Sequence, residues 1–147
     1  MTMSMALEEA RAAGARGEVP IGAVLVHGPS GKILARAGNR VEETGDATAH
    51  AEMVVLRAAA GLAEYRLADC DLYVTLEPCP MCAAAISLAR VRRLYFGAFD
   101  PKGGGVEHGP RIFAQATCHH RPEVVGGIEE GSASLLLKGF FAAKRQS

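Results

Sequence analysis

Apolar and polar positions follow two rhythms along this chain, and each stretch of rhythm predicts an element. Residues 5–13, Met-Ala-Leu-Glu-Glu-Ala-Arg-Ala-Ala, are strong helix formers and predict a first helix that stops at Gly14. Short apolar runs at 21–26 and 32–37, split by the turn cluster Gly28-Pro29-Ser30-Gly31, predict a hairpin. A loop from Asn39 to Ala47 leads to a helix over 49–60, closed by Gly61. A strand over 71–76, a helix over 80–89 and a strand over 91–97 follow. A glycine-rich loop, an apolar turn at Ile112-Phe113, a strand near Val124-Val125 and a helix from about 132 to 144 complete the chain. The order αββαβαββα suits an α/β fold with a mixed sheet of about five strands flanked by helices. Two of those helices start at strand ends, where such folds place their sites. The pattern contains no internal repeat and no low-complexity segment.

Composition narrows this picture. With 147 residues and 49% hydrophobic content, the chain is long enough for a single domain over 1–147 with a substantial core. No apolar run is long enough to cross a membrane, and the N-terminal stretch carries Glu8 and Glu9 where a signal peptide would be basic, so a cytoplasmic protein is expected. Net charge is zero, but residues 1–89 carry a balance of −4 and residues 90–147 a balance of +4. Arg90, Arg92, Arg93, Lys102, Arg111, Arg121, Lys144 and Arg145 could meet phosphates if the fold gathers them. Of the four cysteines, two fall in the Cys79-x-x-Cys82 motif, and the two left, Cys70 and Cys118, are too few for a disulfide scaffold.

The chemistry lies in His50-Ala51-Glu52 and Pro78-Cys79-Pro80-Met81-Cys82. One histidine and two cysteines make three metal ligands, and a zinc site that keeps three protein ligands leaves its fourth position for water. Cys79 and Cys82, at i and i+3, share one face if Pro80 opens a helix, and the helix start favours thiolates. Glu52 lies about 200° round an ideal helix from His50, so both reach one ion only if it sits over the helix end; Thr48 as the helix start places them there. Two thiolates cancel the dication's charge and leave its water less acidified than at an all-histidine site, so a nearby base is needed. Glu52 fits that role, taking the water's proton and handing it to a leaving nitrogen. A bare Cys-x-x-Cys would fit a structural zinc knot or two buried thiols equally well. With His-x-Glu upstream, the spacing matches the zinc deaminase signature. Cys70 and Cys118 are read as ordinary thiols.

The resemblance extends beyond the metal motif. Glu18-Val19-Pro20-Ile21-Gly22-Ala23-Val24, Asn39-Arg40, residues 46–52, Leu76-Glu77-Pro78-Cys79-Pro80-Met81-Cys82 and Phe96-Gly97-Ala98-Phe99-Asp100-Pro101-Lys102 resemble, in order, the blocks of the bacterial tRNA-specific adenosine deaminases, within the cytidine deaminase superfamily. The resemblance implies a three-layer αβα cytidine-deaminase-like fold, one Zn2+ per subunit, a homodimer, and conversion of a wobble adenosine in a tRNA anticodon stem-loop to inosine. By similarity Asn39 would hydrogen-bond the flipped base. The backbone around Ala51 and Pro78 would line the pocket, and Phe140 or Phe141 would pack near the anticodon loop.

Two stretches depart from the family pattern where such proteins touch RNA: residues 103–111, Gly-Gly-Gly-Val-Glu-His-Gly-Pro-Arg, and His119-His120-Arg121-Pro122-Glu123. Read from composition alone, the glycine run is a flexible loop, His119 and His120 are surface residues, and at least one of the adjacent Phe140 and Phe141 packs in the core. The departures and the zero net charge support an alternative substrate, a free base or nucleoside such as guanine, cytosine or adenosine. A zinc-stabilised RNA-binding scaffold without activity is the remaining reading, opposed by Glu52, which costs energy to bury and has no ligand role.

Overall fold

Alternation within the strands decides which helix lies on which face. The structure, a computed structural model, describes residues 2–62 and 64–146. Helix α1 (Thr2–Ala15) precedes strands β1 (Gly22–His27) and β2 (Lys32–Gly38), a short helix α2 (Val41–Thr44) and helix α3 (Ala51–Ala60). Strand β3 (Cys70–Leu76), helix α4 (Pro80–Leu88), strands β4 (Arg93–Ala98) and β5 (Glu123–Val125) and helix α5 (Glu130–Gln146) follow. The sheet order is β2-β1-β3-β4-β5, with β1 antiparallel to both β2 and β3, and β3, β4 and β5 parallel.

Successive side chains of a strand point to opposite faces. Ala23 and Leu25 of β1, Leu72 and Val74 of β3, and Leu94 and Phe96 of β4 meet Ala51, Val55 and Ala59 of α3 and Ala83 and Ile86 of α4. Val24 and Val26, with Tyr73 and Tyr95, face Met3, Ala6 and Leu7 of α1 and Ala133 of α5 on the other side. The expected three-layer αβα architecture with a five-stranded mixed sheet is therefore the one found. Helix α1 approaches the sheet across the Gly22–Gly38 rung, where strands β1 and β2 are in register. A Cβ at Gly22 would stand 2.0 Å from the Ala6 carbonyl oxygen, so only glycine admits the helix there.

Several boundaries move. Helix α1 runs through Gly14, and the glycine that ends it is Gly17 at φ +89, beside which Glu18 N–H bonds back to the Ala13 carbonyl. Gly61 does follow the last residue of α3, but in right-handed geometry. Helix α2 stands where a plain loop was expected; its acidic first turn and the left-handed Gly45 after it are the local signals that mark it. Among the described residues, no helix is long and apolar enough to cross a membrane.

Candidate active site

The first turns of α3 and α4 point at one spot. His50 and Cys79 are the N-cap residues, both with extended backbone, and neither side chain caps its own helix. Those side chains are left for another partner. In α3 the capping is done from outside: Asn39 Oδ1 accepts the Ala51 N–H at 2.8 Å. In α4, Pro80 holds the first helical position, where its missing N–H costs nothing. The expected start of α3 at Thr48 is corrected by two residues. Thr48 instead turns back on Asp46, donating its N–H and hydroxyl to Asp46 Oδ1 at 2.8 and 2.7 Å.

His50 Nδ1 lies 3.5 Å from both Cys79 Sγ and Cys82 Sγ, and the three atoms all lie within 4.8 Å of one another. With Zn–S near 2.3 Å and Zn–N of about 2.0–2.1 Å, tetrahedral geometry sets nitrogen and sulfur ligands about 3.6 Å apart. The spacing thus suits ligands around one ion, and two soft sulfurs with an imidazole suit zinc. Among the described residues this is the one His/Cys/carboxylate group with metal-binding geometry, and Cys70 and Cys118 lie outside it. Its electrostatics prepare it for a cation. The bond with the Cys82 thiol, then that with His50, holds Cys79 down to about 4 despite burial. Cys82, which keeps the shared proton, is pushed up, and the contact with Cys79 raises His50 as well. An ion bound there would require the Cys82 thiol as thiolate and so would displace its proton.

Glu52 is 4% exposed and, with Asn39, His50 and Cys79, lines a hollow of about 270 Å³. Burial pushes its carboxyl up to about 7, the nearby Cys79 charge adding to the rise and its own backbone N–H opposing it. A carboxyl near neutrality beside a metal position can give and take a proton at working pH. Asn39 is buried with its oxygen engaged at Ala51, which leaves its NH2 as the group to offer the hollow. The Ala51 N–H is spent on Asn39, and the Pro78 carbonyl accepts the Gly105 N–H at 2.8 Å. The remaining wall is made by Val19, Ile21, Leu76, Glu77, Asp100 and Gly103, none of which the sequence reading placed in the site.

Phe140 and Phe141 border a neighbouring hollow of about 410 Å³ that also touches Asn39 and His50. Neither belongs to the core, contrary to expectation, and Phe141 is 44% exposed. The glycine run is also not loose: a Cβ at Gly105 would fall 2.6 Å from the Pro80 nitrogen, so the loop lies against the turn that carries Cys79. His119 is exposed as expected, whereas His120 is a tie, donating Nε2–H to the Val91 carbonyl at 2.6 Å and taking the Ser87 hydroxyl on its own carbonyl at 2.7 Å. Three of the cations that could meet phosphates are engaged within the chain. Arg92 pairs with Asp71, Arg93 with Glu123, and Arg121 bonds the carbonyls of Phe113 and Gln115. Lys102 and Lys144 border hollows beside the site.

Comparison with known proteins places these observations. The cytidine and deoxycytidylate deaminase zinc-binding region matches residues 1–98. The tRNA-specific adenosine deaminase of Agrobacterium fabrum is 59% identical over 97% of this chain and 93% of its own. A structure from studies of A-to-I editing by tRNA:A34 deaminases at the wobble position of transfer RNA is 58% identical, with a TM-score of 0.88 over 92% of this chain and 98% of that one. A guanine deaminase from Nitrosomonas europaea shares the fold at a TM-score of 0.77 over 96% of this chain and 83% of its own, but with 25% identity. A zinc-binding region matched over most of the chain, and tRNA-specific relatives more than twice as similar as the free-base enzyme, mean that the chain belongs to the tRNA-specific adenosine deaminases of the cytidine and deoxycytidylate deaminase family.

Proposed function

We propose that this protein hydrolyses the wobble adenosine of a tRNA anticodon stem-loop to inosine and ammonia. It works as a cytoplasmic homodimer of single-domain subunits, each with one zinc held by His50, Cys79 and Cys82. The observation that carries the chemistry is the placement of Glu52: a buried carboxyl, not itself in the ligand cluster, sharing one hollow with His50 and Cys79. Zinc, when bound, supplies an acidified water at its open fourth position. Glu52 takes a proton from water and delivers it to the departing amino group. A bond from C6 to oxygen forms, the C6–N bond breaks, and the nitrogen leaves as ammonia. The Asn39 NH2 contacts the base, the backbone at Ala51 and Pro78 backs the pocket, and Phe140 and Phe141 offer rings to neighbouring nucleotides.

The choice of an RNA substrate over a free base rests on the 59% identity to a tRNA-specific enzyme against 25% to a guanine deaminase. For the dimer the support is an uncovered apolar face, with Leu88 at the end of α4 76% exposed beside a hollow lined by Ala84, Ile112 and Cys118.

The test is ammonia release by zinc-loaded protein from a stem-loop with a wobble adenosine, beside free adenosine, guanine and cytosine. Turnover of the stem-loop alone is expected; turnover of a free base alone would retain the mechanism and overturn the substrate. Glu52→Ala should keep its zinc, measured by elemental analysis, and lose about 10²–10⁴-fold in rate.

A further inference from the structure

Glu77 sits two residues before the first metal-binding cysteine, and its side chain is fully buried, 0% exposed. It lines the catalytic hollow, yet it has no capacity left for substrate. Oε1 takes the Asp100 N–H at 3.0 Å and His108 Nδ1–H at 2.8 Å. Oε2 takes the N–H groups of Val106, Glu107 and His108 at 3.2, 2.9 and 3.1 Å. A buried carboxylate persists as an ion only when its lone pairs are filled, and here loop 100–108 fills them. The loop in turn depends on the carboxylate. A Cβ at Gly104 would lie 2.4 Å from Glu77 Oε2, so the close wrap requires glycine there.

This loop is also the wall of the site. Asp100 and Gly103 face the hollow, and Gly105 donates to the Pro78 carbonyl just ahead of Cys79. We propose that Glu77 is a positioning residue for the deamination, holding loop 100–108 as the pocket wall, and that His108 is the side-chain donor this chain uses to complete the clamp. The proposal rests on the deaminase reading of the site, but its geometry is independent of which base is the substrate. It also accounts for the departed segment 103–111: the glycines permit the wrap, and His108 supplies the one side-chain donor among five.

The test uses zinc-loaded Glu77→Ala, His108→Leu and His108→Asn, the last keeping an N–H donor where His Nδ1 stands. Two readouts are taken: kcat and KM on whichever substrate the unaltered protein turns over, and hydrogen exchange of the amides at 106–108. In Glu77→Ala those amides should exchange at least tenfold faster and KM should rise about tenfold, with kcat changed less. A merely structural role would lower the active fraction and so kcat, leaving KM in place. His108→Leu should show the same pattern more weakly and His108→Asn should restore it, a comparison that stands even if Glu77→Ala does not fold, because His108 is 35% exposed. Unchanged exchange and KM in His108→Leu, or a loss that His108→Asn does not recover, would overturn the proposal. Absence of turnover on the stem-loop in the unaltered protein would strike the substrate reading instead and leave the exchange result to decide this one.

Discussion

Asn39 carries two tasks on one carboxamide, and they can be separated. Its oxygen caps α3 at the Ala51 N–H, and the contact proposed above for its NH2 is with the base. Asn39→Asp keeps an acceptor at the helix N-terminus, where a negative charge is welcome. It should melt within a degree or two of the unaltered protein while KM rises tenfold or more. Asn39→Ala should lose both, with about 1 kcal/mol of stability gone in a denaturant titration. Glu18 is another buried carboxylate, accepting the N–H groups of Glu42 and Glu43 at 3.0 and 2.8 Å at the start of α2. Burial by itself would raise its pKa, but those N–H groups and Arg16 outweigh burial and hold it below 4.5. A carboxyl with a lowered folded pKa stabilises fully above its unfolded value and loses that contribution as pH falls through the folded one. Thermal melts of Glu18→Gln should therefore trail the unaltered protein by about 2 kcal/mol at pH 7, and the gap should close as pH drops below about 4.5. A gap that widened in acid would refute the assignment. Neither the Asn39 cap nor the Glu18 contacts are visible in the chain, because each joins residues that are not neighbours in sequence.

Elements whose signal is local are legible in the sequence. Strands β1 and β3 are short, largely apolar stretches, and α4 announces itself by Pro80 after Cys79, so each is found within a residue or two of its expected limits. Boundaries set by contacts are not legible there. Asn39, capping from outside, moves the start of α3 from Thr48 to His50, and α1 passes through Gly14 to end at Gly17. The close approach of α1 to the sheet makes a prediction at this scale. Gly22→Ala forces a Cβ to within 2.0 Å of the Ala6 carbonyl and 2.5 Å of the Ala10 nitrogen, both backbone atoms that cannot swing aside. Overpacking of this kind costs about 1–3 kcal/mol, so calorimetry should show the melting temperature falling by several degrees. An unchanged melt would mean that α1 shifts freely over the sheet.

At the scale of the molecule, the candidate metal ligands join two separate segments, His50 at the start of α3 and Cys79 and Cys82 at the start of α4, on the face of the sheet opposite α1. Anything that binds only the folded state stabilises it by mass action, by about 4 kcal/mol at a thousandfold excess over Kd. Stripping the metal with a chelator at neutral pH should abolish ammonia release and lower the melting temperature by several degrees. Zinc should restore both and magnesium neither, since magnesium prefers oxygen ligands. Loss of activity with no change in melting would show that the ion does not bridge α3 and α4. What the sequence determined by itself was the chemistry: ligand types, their spacing and the extra acid are local properties of two short motifs, and the strand alternation that sorts the layers is local too. Only the tertiary structure decided which groups are spent and which are free. It shows Asn39 as a cap, Glu77 as saturated by five donors, the glycine run as a clasp and not a loose loop, and His120 as a tie. The physical reason is that burial of a polar group is tolerable only with partners, and those partners come from segments whose meeting no local pattern records.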